Sequence, residues 1–291
     1  MKKRNVRARI VLCCLVASLL LMLIPWGLFF VETGENNGIM HISFDDTIEV
    51  FKDITKNEKE YDEIFDNDML SYLKNCHEKY GAVFSFYCYY TDGDFDLTQC
   101  TDKFVEDFQA NSSWLKFAFH SFDGNSDLVD VTPEDALKQY SMVTEELIRI
   151  TGGEECIDSI PRLHRFAGNE NAIIAINECE YGIAGLHTAD DDRQSYYLEE
   201  EDSNYIADHD TFYDQNHDLL FVSTDVRLEK TNLWNIDNLM DSILKDNNQN
   251  KVIEVFTHEW QWGLITKIKL YYICIWGQQN GYTWEYISNI K

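Results

Sequence analysis

The 291-residue chain has only three prolines and 14 glycines. No proline-rich or glycine-rich stretch divides it, and no internal repeat or low-complexity tract is present. Neither GxGxxG nor GxxxxGK[ST] follows an apolar run, so nucleotide binding has no support. Eight cysteines occur, none in a CxxC pair, which argues against a zinc ribbon. Positive charge is also scarce. Against 51 Asp and Glu stand 24 Lys and Arg, a formal net charge of −27. That balance disfavours nucleic acid and anionic lipid as partners.

The few cations are unevenly placed. Lys2, Lys3, Arg4, Arg7 and Arg9 precede an uncharged run, IVLCCLVASLLLMLIPWGLFFV, from Ile10 to Val31. At helical rise it covers roughly 33 Å, about the hydrocarbon thickness of a bilayer. The basic flank predicts a cytoplasmic N-terminus. The expected organisation is a basic tail at 1–9, a transmembrane anchor at 10–31 and a tether at 32–38. One domain, 39–291, then lies outside the cell, making a single-pass cell-membrane protein. A cleaved signal peptide is the alternative, but the run is long for one and no small-x-small site follows cleanly. Beyond the anchor stand Cys76, Cys88, Cys100, Cys156, Cys179 and Cys274. Several sit inside apolar strand or helix patterns, and those are expected as buried thiols.

Past the tether, apolar runs of strand type alternate with helical ones. Strands are expected at Ile39–Phe44, Ala82–Tyr90, Leu115–His120, Ile160–Phe166, Gly182–Thr188, Leu220–Leu228 and Lys251–Thr257. Helices are expected at Asp66–Tyr80, Thr132–Ile150, Asn169–Cys179 and Asn232–Leu244. The first places Met69, Leu70, Leu73 and Cys76 on one face. The second opens with Thr-Pro-Glu-Asp and carries Ala136, Leu137, Tyr140, Val143, Leu147 and Ile150. Gly81 and Gly152-Gly153 fall where helices should stop. Leu264–Ile290 reads as a final helix with an irregular end. Strands buried on both faces and alternating with helices predict an α/β fold with about seven parallel strands, either a (β/α) barrel or an open doubly wound sheet.

Scarce polar residues recur at the strand ends. The first strand ends in Asp45 and Asp46, the third in His120, the fourth in Arg165, and the last in His258. Asp190, Asp191, Asp192 and Arg193 follow the fifth. The C-terminal ends of barrel strands are where such folds place chemistry. Adjacent residues on a strand point opposite ways, so Asp45 and Asp46 can share a site only where the strand breaks. The plainer alternative is that Asp-Asp-Thr caps the next helix. His164 and His187 lie near the same rim and read as packing residues, as do His77, His209 and His217 in their polar or helical surroundings.

In order, SFDD at Ser43–Asp46, HSFDG at His120–Gly124, RFAG at Arg165–Gly168, the Asp190–Arg193 cluster and VFTH at Val255–His258 resemble the motifs of the polysaccharide deacetylase family (NodB homology, carbohydrate esterase family 4). The match spans about Gly38 to Trp260. The resemblance implies a deformed (β/α) barrel with a divalent metal, Zn²⁺ or else Co²⁺ or Ni²⁺, at its mouth. It implies removal of N-acetyl groups from a cell-wall or surface polysaccharide. Asp45 is then the general base, Asp46 and His120 metal ligands, Arg165 the partner of Asp45, and His258 the acid. Asp190 and Asp191 fall in the substrate-facing cluster. The family's second motif has two histidines four positions apart, and here the second position is Gly124. Asp123, Asn125 or Asp127 can supply the missing donor. Without a third donor, the alternative is an inactive carbohydrate-binding module.

Overall fold

In the computed structural model, residues 38–245 and 252–289 are described. The expected anchor at 10–31 lies outside them. Among the described residues, no helix is long and apolar enough to cross a membrane.

The strands are, in chain order, β1 (Gly38–Thr47), β2 (Phe84–Tyr89), β3 (Thr91–Asp92), β4 (Phe95–Asp96), β5 (Leu115–Ser121), β6 (Gly185–His187), β7 (Thr211–Asp214), β8 (Leu219–Val222), β9 (Val226–Arg227), β10 (Val252–His258) and β11 (Tyr282–Trp284). One sheet runs β5-β2-β1-β10-β9, every pairing parallel. β11 adds to β1 at Gly38–Met40, on the edge that β2 takes up only from Ile42. A second sheet orders β6-β8-β7, with β6 parallel to β8 and β7 antiparallel to it. β2 is buried at all six positions, as a strand covered on both faces must be.

Two expected strands differ. Leu220–Leu228 is broken into β8 and β9. Ile160–Phe166 forms no strand, although the chain just before and into it bridges the two sheets. Asp158 N–H donates to the Phe117 carbonyl, and the Ser159 and Pro161 carbonyls accept from Ala184 and His187. Pro161 has no N–H to continue a ladder. Past it, Arg165 and Phe166 take left-handed backbone angles, with φ of 61° and 58°. The result is an α/β fold on a deformed, incompletely hydrogen-bonded ring of mostly parallel strands.

The helices follow their apolar spacing. Asp68–Tyr80 buries Met69, Leu70, Leu73 and Cys76, is capped by the Asn67 side chain, and stops at Gly81 with φ of 75°. Pro133–Thr151 is capped by Thr132 and stops at Gly152 with φ of 91°. A β-carbon on Gly152 would also lie 2.4 Å from Val105, so the close approach demands glycine. The final helix, Leu264–Gln279, packs beside Asp68–Tyr80 and leads into β11. The six cysteines among the described residues are free thiols, buried except for the half-buried Cys179.

Candidate active site

Asp45 and Asp46 stand where β1 loses its regularity. β1 keeps register with β10 up to Asp45 beside His258, but slips against β2 between Phe44 and Thr47. Asp46 has a left-handed φ of 58°. This bulge frees the pair from strict alternation. Neither aspartate caps the helix that follows, Glu49–Lys56. Its N-cap, Ile48, makes no side-chain bond. Glu259, just past β10, instead accepts the N–H groups of Ile48, Glu49 and Val50 at 2.7 Å each. Both aspartates are left for other work.

Asp45 is enclosed and held by Arg162. One guanidinium nitrogen donates to Asp45 Oδ1 and to Ser43 Oγ, each at 2.8 Å. The other donates to Glu254 Oε1 at 3.0 Å and to Thr224 Oγ1 at 3.3 Å. The guanidinium lies 4.2 Å from the Phe256 ring centroid. Arg165, expected in this role, does not perform it. Its side chain is half exposed and pairs with Asp127 at 3.1 Å. The left-handed turn His164–Phe166 carries it outward, whereas a strand through Phe166 would have delivered it to the mouth.

The same turn brings in His164. Asp46 Oδ1 lies 3.3 Å from His120 Nε2. His120 Nδ1 faces the Arg162 carbonyl at 2.5 Å, and His164 Nδ1 faces the Ser126 carbonyl at 2.7 Å. A carbonyl only accepts, so each Nδ1 carries the hydrogen and each Nε2 keeps a lone pair. Asp46, His120 and His164 offer donor atoms all within 4.8 Å of one another. Burial lowers the His164 pKa and favours the neutral ring that ligates metal. For Asp46 burial works the other way, but His120, when its Nε2 also carries a hydrogen, and the Tyr89 hydroxyl outweigh it and hold the carboxyl well below its usual range.

His164, read from the sequence as a packing residue, thus places a ring nitrogen beside Asp46 and His120, where the sequence offered Asp123, Asn125 or Asp127. Asp123 is occupied in its own loop, accepting Asn125 N–H, Ser126 N–H and Ser126 O–H at 2.8 Å each. A β-carbon on Gly124 would lie 3.8 Å from the Tyr89 ring, so a longer side chain there meets that ring. The Tyr89 hydroxyl donates to Asp46 Oδ1.

His258 completes the cluster. Its Nε2 lies 3.9 Å from Asp46 Oδ2, and its Nδ1 bonds Glu229 Oε1 at 2.7 Å. Burial opposes the charged ring, but Glu229 outweighs it and raises the His258 pKa above the ordinary value. Trp260 is exposed, stands 5.2 Å from the His258 ring and donates its indole N–H to Asp46 Oδ2 at 2.9 Å. Asp190 and Asp191 are not brought to this cluster. Asp190 pairs with Arg227 at 2.6 Å and Lys230 at 3.2 Å, and Asp191 with Arg193 at 2.6 Å. Their loop lines a separate cavity of about 250 Å³ with Thr224 and Asp225.

No family model matches the chain, and no curated protein matches it. Solved structures do. A protein assigned as a polysaccharide deacetylase from Mycobacterium smegmatis aligns over 84% of this chain and 86% of its own, at 10% identity and a TM-score of 0.50. The chain has the polysaccharide deacetylase fold. Two other structures of this fold align with lower scores. The Xyl-CE4 domain of a multidomain xylanase from the hindgut metagenome of Trinervitermes trinervoides covers 87% of this chain and 89% of its own, at 10% identity and a TM-score of 0.48. The catalytic domain of a peptidoglycan N-acetylglucosamine deacetylase from Eubacterium rectale covers 89% and 92%, at 14% identity and a TM-score of 0.44. Within the polysaccharide deacetylase fold, the Asp46 cluster sits at the C-terminal ends of β1, β5 and β10, where such sheets place their sites.

Proposed function

We propose that this chain is a metal-dependent hydrolase removing N-acetyl groups from a surface or cell-wall polysaccharide, and a divergent member of the deacetylase family. We also propose that residues 10–31 hold it to the cell membrane with the hydrolase domain outside. One observation carries the catalytic reading. Three neutral-ligand or carboxylate donors converge beside an enclosed, arginine-held aspartate and a carboxylate-held histidine.

Asp46, His120 and His164 would hold the ion, since two imidazoles and one carboxylate suit Zn²⁺, Co²⁺ or Ni²⁺. When bound, such an ion polarises a carbonyl and eases the ionisation of water. Asp45 would take the proton from the attacking water. Arg162 bonds Oδ1, leaving Oδ2 for that proton. His258 would return a proton to the departing nitrogen, with Glu229 fixing the ring through Nδ1 and favouring its charged form. The open face of Trp260 suits stacking against a sugar ring. The rival reading, an inactive sugar-binding module, rested on Gly124. A third donor from His164 weakens it.

The test is acetate release from N-acetylglucosamine oligomers by the full chain, first stripped of metal and then reloaded with Zn²⁺, Co²⁺ or Ni²⁺. Release is expected only on reloading, and Asp45→Asn is expected to abolish it while leaving the fold intact. A metal-loaded, folded chain that binds the oligomers without releasing acetate overturns the hydrolase reading in favour of the module.

A further inference from the structure

Below the mouth, the interior of the strand ring is polar. His41 on β1 and Glu254 on β10 are register partners, and His187 on β6 faces them. All three are fully enclosed. Their donor atoms lie within 4.8 Å of one another. The His41 and His187 rings are parallel to within 3°, with centroids 6.0 Å apart.

Two of the three have outer partners of the kind that orient metal ligands. His41 Nε2 lies 2.9 Å from Ser85 Oγ, and that hydroxyl donates to Asp158 Oδ2 at 2.5 Å. Ser85 therefore accepts from His41, so Nε2 carries the hydrogen and Nδ1 points at Glu254 Oε2, 2.6 Å away. Glu254 uses its other oxygen, Oε1, for Ser43 and Arg162. Its Oε2 is left facing the two imidazoles. A histidine tied through its far nitrogen, and a carboxylate tied through its far oxygen, form the usual second layer of a metal site.

His187 is the unexplained member. Both of its ring nitrogens are buried and neither makes a hydrogen bond of full geometry, the backbone of Ile160 being the one weak polar neighbour. Native interiors leave few polar atoms in that state. The His41–Glu254 contact does nothing for this ring. Charge points the same way. Asp45, Asp158 and Glu254 are three enclosed carboxylates, and the cations facing them are the Arg162 guanidinium and the proton between His41 and Glu254, one fewer than the acids.

The geometry points to a second divalent-metal site, of the Zn²⁺ class, held by His41 Nδ1, Glu254 Oε2 and a ring nitrogen of His187. The ion replaces the proton between His41 and Glu254, which leaves to solvent, and gives His187 its missing partner. With no opening to the surface, the site is structural. It fixes Glu254, which supports Arg162, which holds Asp45.

The test counts metal and does not depend on turnover. Full-length chain is loaded with Zn²⁺, dialysed against metal-free buffer and assayed by plasma mass spectrometry. Two ions per wild-type chain are expected. One is expected in the Asp46→Ala, His120→Ala double variant, and none when His187→Gln is added to it. A double variant holding no ion overturns the proposal, as does an ion that survives His187→Gln in a folded chain. If His187→Gln does not fold, the double variant alone decides. One ion in the wild type that persists in the double variant retains the interior site and removes the mouth site instead, so the two readings fail separately.

Discussion

Arg162 donates to Asp45 at 2.8 Å across a sequence separation of 117, with both side chains enclosed. Arg165, three residues on, spends its charge on Asp127 at the surface. Removing one partner of an enclosed pair leaves the other charged and unpaired, whereas an exposed pair contributes little. Arg162→Gln should therefore cost about 3–5 kcal/mol in urea unfolding. Arg165→Gln should cost about 0–1 kcal/mol. Comparable losses in the two variants would reverse the assignment of the base's partner.

The difference between these arginines shows how far the sequence could be read. Alternating and helical periods located β1, β2, β5, β10 and the two longest-faced helices, down to the buried positions of Asp68–Tyr80. They also brought Asp45, Asp46, His120 and His258 to one end. Periodicity assumes a uniform backbone, and it failed where the backbone is not uniform. Pro161 and the left-handed Arg165 and Phe166 turn an expected strand into a loop, which exchanges Arg165 for Arg162 and exposes His164 to the site. A charged residue at Arg162 between Ile160 and Leu163 was the available sign, because an enclosed arginine requires acids around it. Glu229 bears no local mark. Only pairing of β9 with β10 sets it beside His258. The short β11 depends on pairing with β1 at the far end of the domain, which local propensity does not register.

Glu229 raises the His258 pKa through a direct bond. The protonated ring should thus persist to higher pH than an ordinary imidazole, and the alkaline limb of the kcat/KM profile reports its loss. Glu229→Gln removes the carboxylate and should move that limb to lower pH. A limb unmoved by Glu229→Gln would mean that His258 is not the group titrating there.

Glu259 closes the first turn of Glu49–Lys56 from a distant part of the chain. Glu259→Ala leaves three inward N–H groups without it, and should cost at least the 0.5–2 kcal/mol typical of a lost cap, roughly. Glu259→Gln keeps one amide oxygen and should recover part of that. Hydrogen exchange at Ile48, Glu49 and Val50 should quicken in Glu259→Ala. Unchanged exchange there would show that another group satisfies the turn.

The mouth site is completed beside Asp46 and His120 by one side chain, and its identity is directly measurable. Calorimetric titration of Zn²⁺ into the full chain isolates that site as the binding event that Asp46→Ala removes. His164→Ala should weaken this event by on the order of 100-fold or more, at or beyond the range seen for outer partners of metal ligands. Asn125→Ala and Asp127→Ala should leave it within a few-fold. Undiminished affinity in His164→Ala, with loss in Asp127→Ala or Asn125→Ala, would contradict the assignment and return the third donor to the loop after His120.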